Sequence, residues 1–277
     1  MKHRFSPSFV SPELNEAQNT IHHASQLVGI VGKQLVPQEP DDSNTNMEWI
    51  PAINTFAGHL VTNRIKVGFN VTEFAIKLLD PANFDVRSFS LDGKTFEDAF
   101  SWLKLELVMH GVKADDLNPA LHYEIPTHGT DDGEPFQKPS DAVLTELSVH
   151  RTVFDAIIKE YAAQHEHASD VKTWPHHFDH GVYIPFKFDE NGDAAQSFSI
   201  GYAMDDTLVD EPYVYVTQWK KEGEIDYSST PKLVQGEWQP GGLSGAALRF
   251  STIVQSDDQE AVIRSFIDKT VEWSLNA

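Results

Sequence analysis

Two blocks of strand-like sequence, residues 65–90 and 182–254, each flanked by long stretches of helical periodicity, most constrain how this chain folds. In the first block Ile65-Lys66-Val67-Gly68-Phe69-Asn70-Val71 alternates apolar with small or polar residues, as a half-buried strand does. Residues 74–79 and 86–89 predict two more strands, set off by Asp80-Pro81 and Asp92-Gly93. Strands joined by turns this short pair antiparallel. The second block repeats the design: residues 182–188, 198–203 and 213–217 read as a meander, with a turn at Asp189-Glu190-Asn191-Gly192-Asp193. Residues 244–254, small and apolar, read as a central strand.

The flanking stretches have a period of 3.6. Ser11 as N-cap, Pro12 at the first helical position and Glu13 in the first turn open a helix that runs to about Leu35. Its apolar face is Leu14, Ala17, Ile21, Ala24, Leu27, Val28 and Val31. Thr95 caps a second helix, with Phe96, Ala99, Phe100, Leu103 and Leu107 on one face and Gly111 closing it. Residues 121–125 read as a short strand. A third helix spans about 140–164, burying Val143, Leu144, Leu147, Phe154, Ile157, Ile158 and Tyr161. Ser256 and Gln259 form a capping box for a last helix carrying Val262, Phe266, Ile267, Thr270 and Val271. The fold class is therefore α+β, antiparallel sheet segments packed by three to four long helices. Residues 1–10 read as a flexible arm, and 11–277 as one domain or as two similar lobes meeting near 127–139.

Charge narrows the partners. Acidic residues outnumber basic ones 42 to 21, a formal net charge of -21. That field repels phosphate backbones and anionic lipid, so neither nucleic acid nor membrane is an expected partner. No run approaches the roughly 18 apolar residues of a membrane helix, and the first ten residues lack the apolar core of a signal peptide. With no cysteine, thiolate and disulfide chemistry is absent, and a cytoplasmic location is the expectation.

The densest chemistry is Trp174-Pro175-His176-His177-Phe178-Asp179-His180-Gly181. Imidazole and carboxylate suit a divalent metal, with His176, His180 and Asp179 the candidate ligands. Read as a strand, the segment places His176 and His180 on one face and His177 and Asp179 on the other. As a general base, His177 or His176 would be oriented by Asp179, because imidazole titrates near neutrality. Asp205, Asp206, Asp210, Glu211 and Tyr213 bracket a later turn and strand, and Trp238 sits in the Gly/Pro-rich loop 236–242. Together with Trp174 these form the expected binding wall. His22 and His23 on the first helix either reach the same pocket or lie in the core. The chain has no His-Glu-x-x-His, Gly-x-Ser-x-Gly, phosphate-binding or dinucleotide motif.

Several of these landmarks together resemble an uncharacterised bacterial family, a domain of unknown function with a Trp-Pro-His-His-Phe-Asp-like segment. The resemblance is carried by His23, Gln26, Leu27, Val28 and Gly29, then Pro37, then residues 49–62. Glu124-Ile125-Pro126, residues 174–179, Asp210-Glu211-Pro212-Tyr213 and Trp238 with Gly241-Gly242 complete it. No activity attaches to that family, so it implies a relative and not a reaction. The residues point to a small-molecule pocket around 174–180, serving a metal-assisted or histidine-based hydrolase or transferase. The alternative is a non-catalytic ligand-binding or structural protein.

Overall fold

The structure is a computed structural model that describes residues 5–6 and 12–277. Most of the expected arm, and the Ser11 cap, lie outside the described residues. The chain divides into two compact α+β units, each built on an antiparallel sheet. Residues 16–151 and 172–178 form the amino-terminal unit, and the described residues up to Asn15, with 152–171 and 179–277, form the carboxy-terminal unit. Residues 127–139 fall inside the amino-terminal unit.

In the amino-terminal unit, α1 (Pro12–Leu35) contributes its residues from Glu16 onward. Ile21, Ala24, Leu27, Val28 and Val31 are buried as the periodicity requires. The helix passes so close to the following loop that a Cβ at Gly32 would sit 2.4 Å from the Asn44 carbonyl oxygen. A five-stranded meander follows in sequential order: β1 (Glu48–Ile50), β2 (Thr55–Ala57), β3 (Lys66–Asn70), β4 (Ala75–Leu79) and β5 (Asp85–Ser90). The last three lie where the sequence predicts strands, whereas β1 and β2 are too short to show a period. β4 is buried along its whole length, including Lys77, whose ammonium reaches Glu73 at 2.5 Å and Asp85 at 2.6 Å. α2 (Phe96–Met109) starts on the expected Thr95 cap, which closes a reciprocal capping box with Asp98. Residues 121–125 form no strand. No neighbouring strand pairs with them, and Tyr123 instead sends its hydroxyl to Gln26. α3 (Asp141–Ala162) contributes its first half, through Arg151, and β6 (Lys172–Thr173) is held where Thr173 and Met47 exchange backbone hydrogen bonds of 2.8 Å.

The carboxy-terminal unit holds β7 (His180–Phe188), β8 (Ala194–Ala203), β9 (Tyr213–Lys220), β10 (Glu237–Gln239) and β11 (Gly245–Arg249), in spatial order β10-β11-β9-β8-β7. β11 lies inside the sheet, as expected, but only half of 244–254 is strand. At Phe250 the chain turns into α4 (Phe250–Val254) because the Glu211 carboxylate accepts the Ser251 N–H at 2.7 Å and its hydroxyl at 2.8 Å. α5 (Gln259–Ser274) starts from Asp258, which accepts from Ala261 N–H, and not from the expected Ser256. Gln259 is thereby freed to turn inward and exchange hydrogen bonds of 2.8 and 3.1 Å with the backbone of Phe5. The Phe5 ring is buried, stacked on Phe154 at 5.4 Å, and Phe154 stacks on Tyr202 at 4.3 Å. No helix among the described residues is long and apolar enough to cross a membrane.

Candidate functional site

The segment from Trp174 to His180 is a turn, not a strand. Phe178 N–H donates to the Trp174 carbonyl at 2.7 Å, closing a single helical turn over Pro175, His176 and His177. Phe178 then takes φ +54°, the left-handed region that bulky side chains avoid. Alternation therefore does not sort its side chains. Trp174, His176, His177 and Phe178 belong to the amino-terminal unit, whereas Asp179 and His180 belong to the carboxy-terminal unit, His180 opening β7.

A row of polar side chains on α1, spaced one turn apart, fixes the turn from beneath. His22 Nε2 lies 2.7 Å from the Pro175 carbonyl oxygen, and Gln26 Nε2 donates to the same oxygen at 2.8 Å. Since Nε2 faces a carbonyl, that nitrogen carries the proton. Burial drives the His22 pKa from 6.5 to about 3, a larger effect than the opposing Pro175 hydrogen bond, so the imidazole is neutral. Its ring stacks on Phe178 at 5.0 Å, 15° from parallel. Phe178 is also packed by Arg151, 2% exposed. Its guanidinium sits 4.6 Å from the Phe178 ring centroid and 5.3 Å from that of Phe56, and donates to the Phe178 carbonyl at 2.9 Å. Gly29 completes the seat: a Cβ there would press on Pro175 at 3.1 Å and on the Tyr123 hydroxyl at 3.2 Å. Gln26 Oε1 accepts that hydroxyl at 2.7 Å, and burial pushes the Tyr123 pKa up.

Above this buried seat lies a string of rings. His176 is 5.8 Å from Tyr123, 6.0 Å from Trp174 and 4.6 Å from His177, and Tyr123 is 4.6 Å from His122. Trp174 and His176 are half-buried and His177 is exposed. His122 is anchored on Asp42 at 2.6 Å. His23, one residue along α1, bonds the Pro126 carbonyl at 2.6 Å and stacks on His128 at 4.9 Å.

The remaining sequence candidates all lie in the carboxy-terminal unit. His180 is fully buried and bonded through Nε2 to Asp155 at 3.2 Å. Burial opposes the Asp155 charge, yet His180 and Lys159 hold its carboxyl below the ordinary range. Asp179 accepts the Tyr215 hydroxyl at 2.5 Å. Asp206 accepts the Tyr213 hydroxyl at 2.6 Å and two backbone N–H groups that shape the 206–209 turn. Burial, and then the charges of Asp206 and Asp210, raise the Asp205 pKa. Asp210 pairs with Arg249 at 2.5 Å, and Glu211 caps α4. Trp238 donates to the Pro231 carbonyl and packs edge-on against Trp273 at 4.7 Å. Apart from Asp205, each of these side chains thus has a local structural partner. Among the described residues, no three of His, Asp and Glu converge in a way that could hold a metal ion.

Sequence reading missed Arg151 and Tyr123. Arg151 did leave a signal: it interrupts the apolar stripe Leu147, Phe154, Ile158 at a position where only a paired charge is tolerated. Compared with protein-family models, with curated proteins and with solved structures, the chain finds no match.

Proposed function

We propose that this protein binds a planar, ring-bearing small molecule at the turn formed by Trp174, Pro175, His176 and His177, and that it does so without catalysis. One observation carries the reading: His22, Gln26 and Arg151, all buried, hold the two carbonyl oxygens of this one turn, at Pro175 and Phe178. Buried polar groups are costly, and backbone strain of the kind at Phe178 persists where surrounding structure over-determines it, commonly at binding sites. The rings so positioned are Trp174, His176, His177 and Tyr123, spaced and tilted for a flat ligand to stack among them. Catalysis by the expected histidines finds less support, since Asp179 is engaged by Tyr215 and His180 is sealed against Asp155. The resemblance to the uncharacterised bacterial family belongs to the same proposal, because Gln26, Gly29 and residues 174–178 are the parts that build the turn.

Ligand-observed NMR against a panel of planar heteroaromatic compounds tests it, on the parent and on His176→Ala/His177→Ala. A binder lost in the variant, at unchanged thermal midpoint, is the expected result. A panel with no binder in the parent, or one bound equally by the variant, would overturn the reading.

A further inference from the structure

We propose that a cavity in the carboxy-terminal unit binds a small molecule bearing a primary ammonium group on an apolar body. The cavity has a volume of about 270 Å³. Its floor is the beginning of β8 and the end of β9, and its other walls are the last turn of α5 and residues 224–229. In the β8–β9 register Phe198 faces Gln218 and Gln196 faces Lys220, so Gln196 and Gln218 are diagonal neighbours on one face of the sheet.

The amide oxygens of both glutamines are buried and accept no hydrogen bond. Gln218 is 8% exposed, and its Nε2 donates to Ser274 Oγ at 2.6 Å, which leaves its oxygen as the unmatched end. Leaving a buried acceptor unmatched is costly, and two at the wall of one cavity mark where a donor belongs. An amide rotates readily about its last bond, so each oxygen can swing toward an occupant.

The surrounding charge selects among donors. Glu224 and Asp226 stand in the wall, the Asp226 carboxyl held below its usual range by Ser228. Among the described residues, Lys220 is the one cationic side chain in the lining. An ammonium offers three donors and no acceptor, matching two carbonyl oxygens and a carboxylate together, and the net charge of -21 draws cations toward the surface. Phe186 and Ile225 supply apolar wall for the body of the ligand.

Isothermal titration with 3-methylbutylammonium at low salt, alongside its neutral counterpart 3-methylbutan-1-ol, tests this. The expected result is saturable binding of the amine at least tenfold tighter than of the alcohol. That binding should weaken at least tenfold in Gln196→Met and in Gln218→Met. Should those variants fail to fold, the exposed pair Glu224→Gln/Asp226→Asn decides, with the same tenfold loss expected. Amine and alcohol binding alike, no binding at all, or amine binding indifferent to the variants would mean that water alone fills the cavity.

Discussion

Acidification isolates the buried seat beneath the turn. His22 has a folded-state pKa of about 3 against 6.5 when unfolded, chiefly because burial penalises its charged form. Between those values the unfolded chain binds the extra proton and the folded chain does not. Stability from this group is therefore complete above pH 6.5 and is lost as pH falls toward 3. The slope in that window approaches ~1.4 kcal/mol per pH unit, and going from pH 7 to pH 5 removes about 2 kcal/mol through His22 alone. Other imidazoles add to the total, the buried His150 and the half-buried His59 among them, since burial lowers their pKa values too. The informative quantity is thus the difference between the parent and His22→Gln, which has an amide N–H that can serve Pro175 but does not titrate. Urea unfolding of both proteins at pH 7 and pH 5 should show the parent losing about 2 kcal/mol more than the variant. Parallel losses, with the two proteins within ~0.5 kcal/mol, would refute a buried neutral imidazole at this position. So would a folded-state imidazole titrating near 6.5 by NMR.

Two further outcomes follow from the geometry. Arg151→Met keeps the volume between Phe56 and Phe178 but strips the Phe178 carbonyl of its charged donor and both rings of their cation, so urea unfolding should show a loss of ~2–4 kcal/mol. Gly201→Ala places a Cβ 2.3 Å from the Tyr215 ring and hydroxyl, which must move off Asp179; a thermal-unfolding scan should show destabilisation of about 1–3 kcal/mol.

What could be read in the sequence was what neighbours along the chain decide. The Thr95 cap, the β3, β4 and β5 meander and the buried stripe of α3 depend on spacings of two to four residues, and all are present. The failures share a cause, which is a partner far away in the chain. Residues 250–254 are small or β-branched enough for a strand, and Glu211, some forty residues earlier, makes them a helix by accepting Ser251 N–H. Ser256 looked like the better cap, but Asp258 takes that place while Gln259 reaches Phe5. At the turn, the Trp174 to His180 alternation imitates a strand, yet His22 and Arg151 hold Phe178 at a backbone angle that no local rule would assign to phenylalanine. Beside Arg151 in the α3 stripe, the trace of this in the sequence was Gln18, His22 and Gln26 at intervals of four along α1, next to the apolar positions Ala17, Ile21 and Leu27.

That polar row is poorly explained as a stabilising device. Both amide atoms of Gln18 and Nδ1 of His22 are buried without a hydrogen-bond partner, so the row is only partly satisfied. Apolar residues of similar volume at such positions are commonly neutral or stabilising by a few kcal/mol, since they carry no desolvation cost. What leucine or methionine would lack is direction. A neutral imidazole and a primary amide converging on the Pro175 carbonyl, with a guanidinium on the Phe178 carbonyl, specify one path for the backbone between them. The groups held by that path are the partly exposed rings at Trp174, His176 and His177. Stability forgone in the core thus appears as fixed geometry at the surface. That exchange is what the proposed binding role of these rings calls for, since recognition requires groups held within a fraction of an ångström.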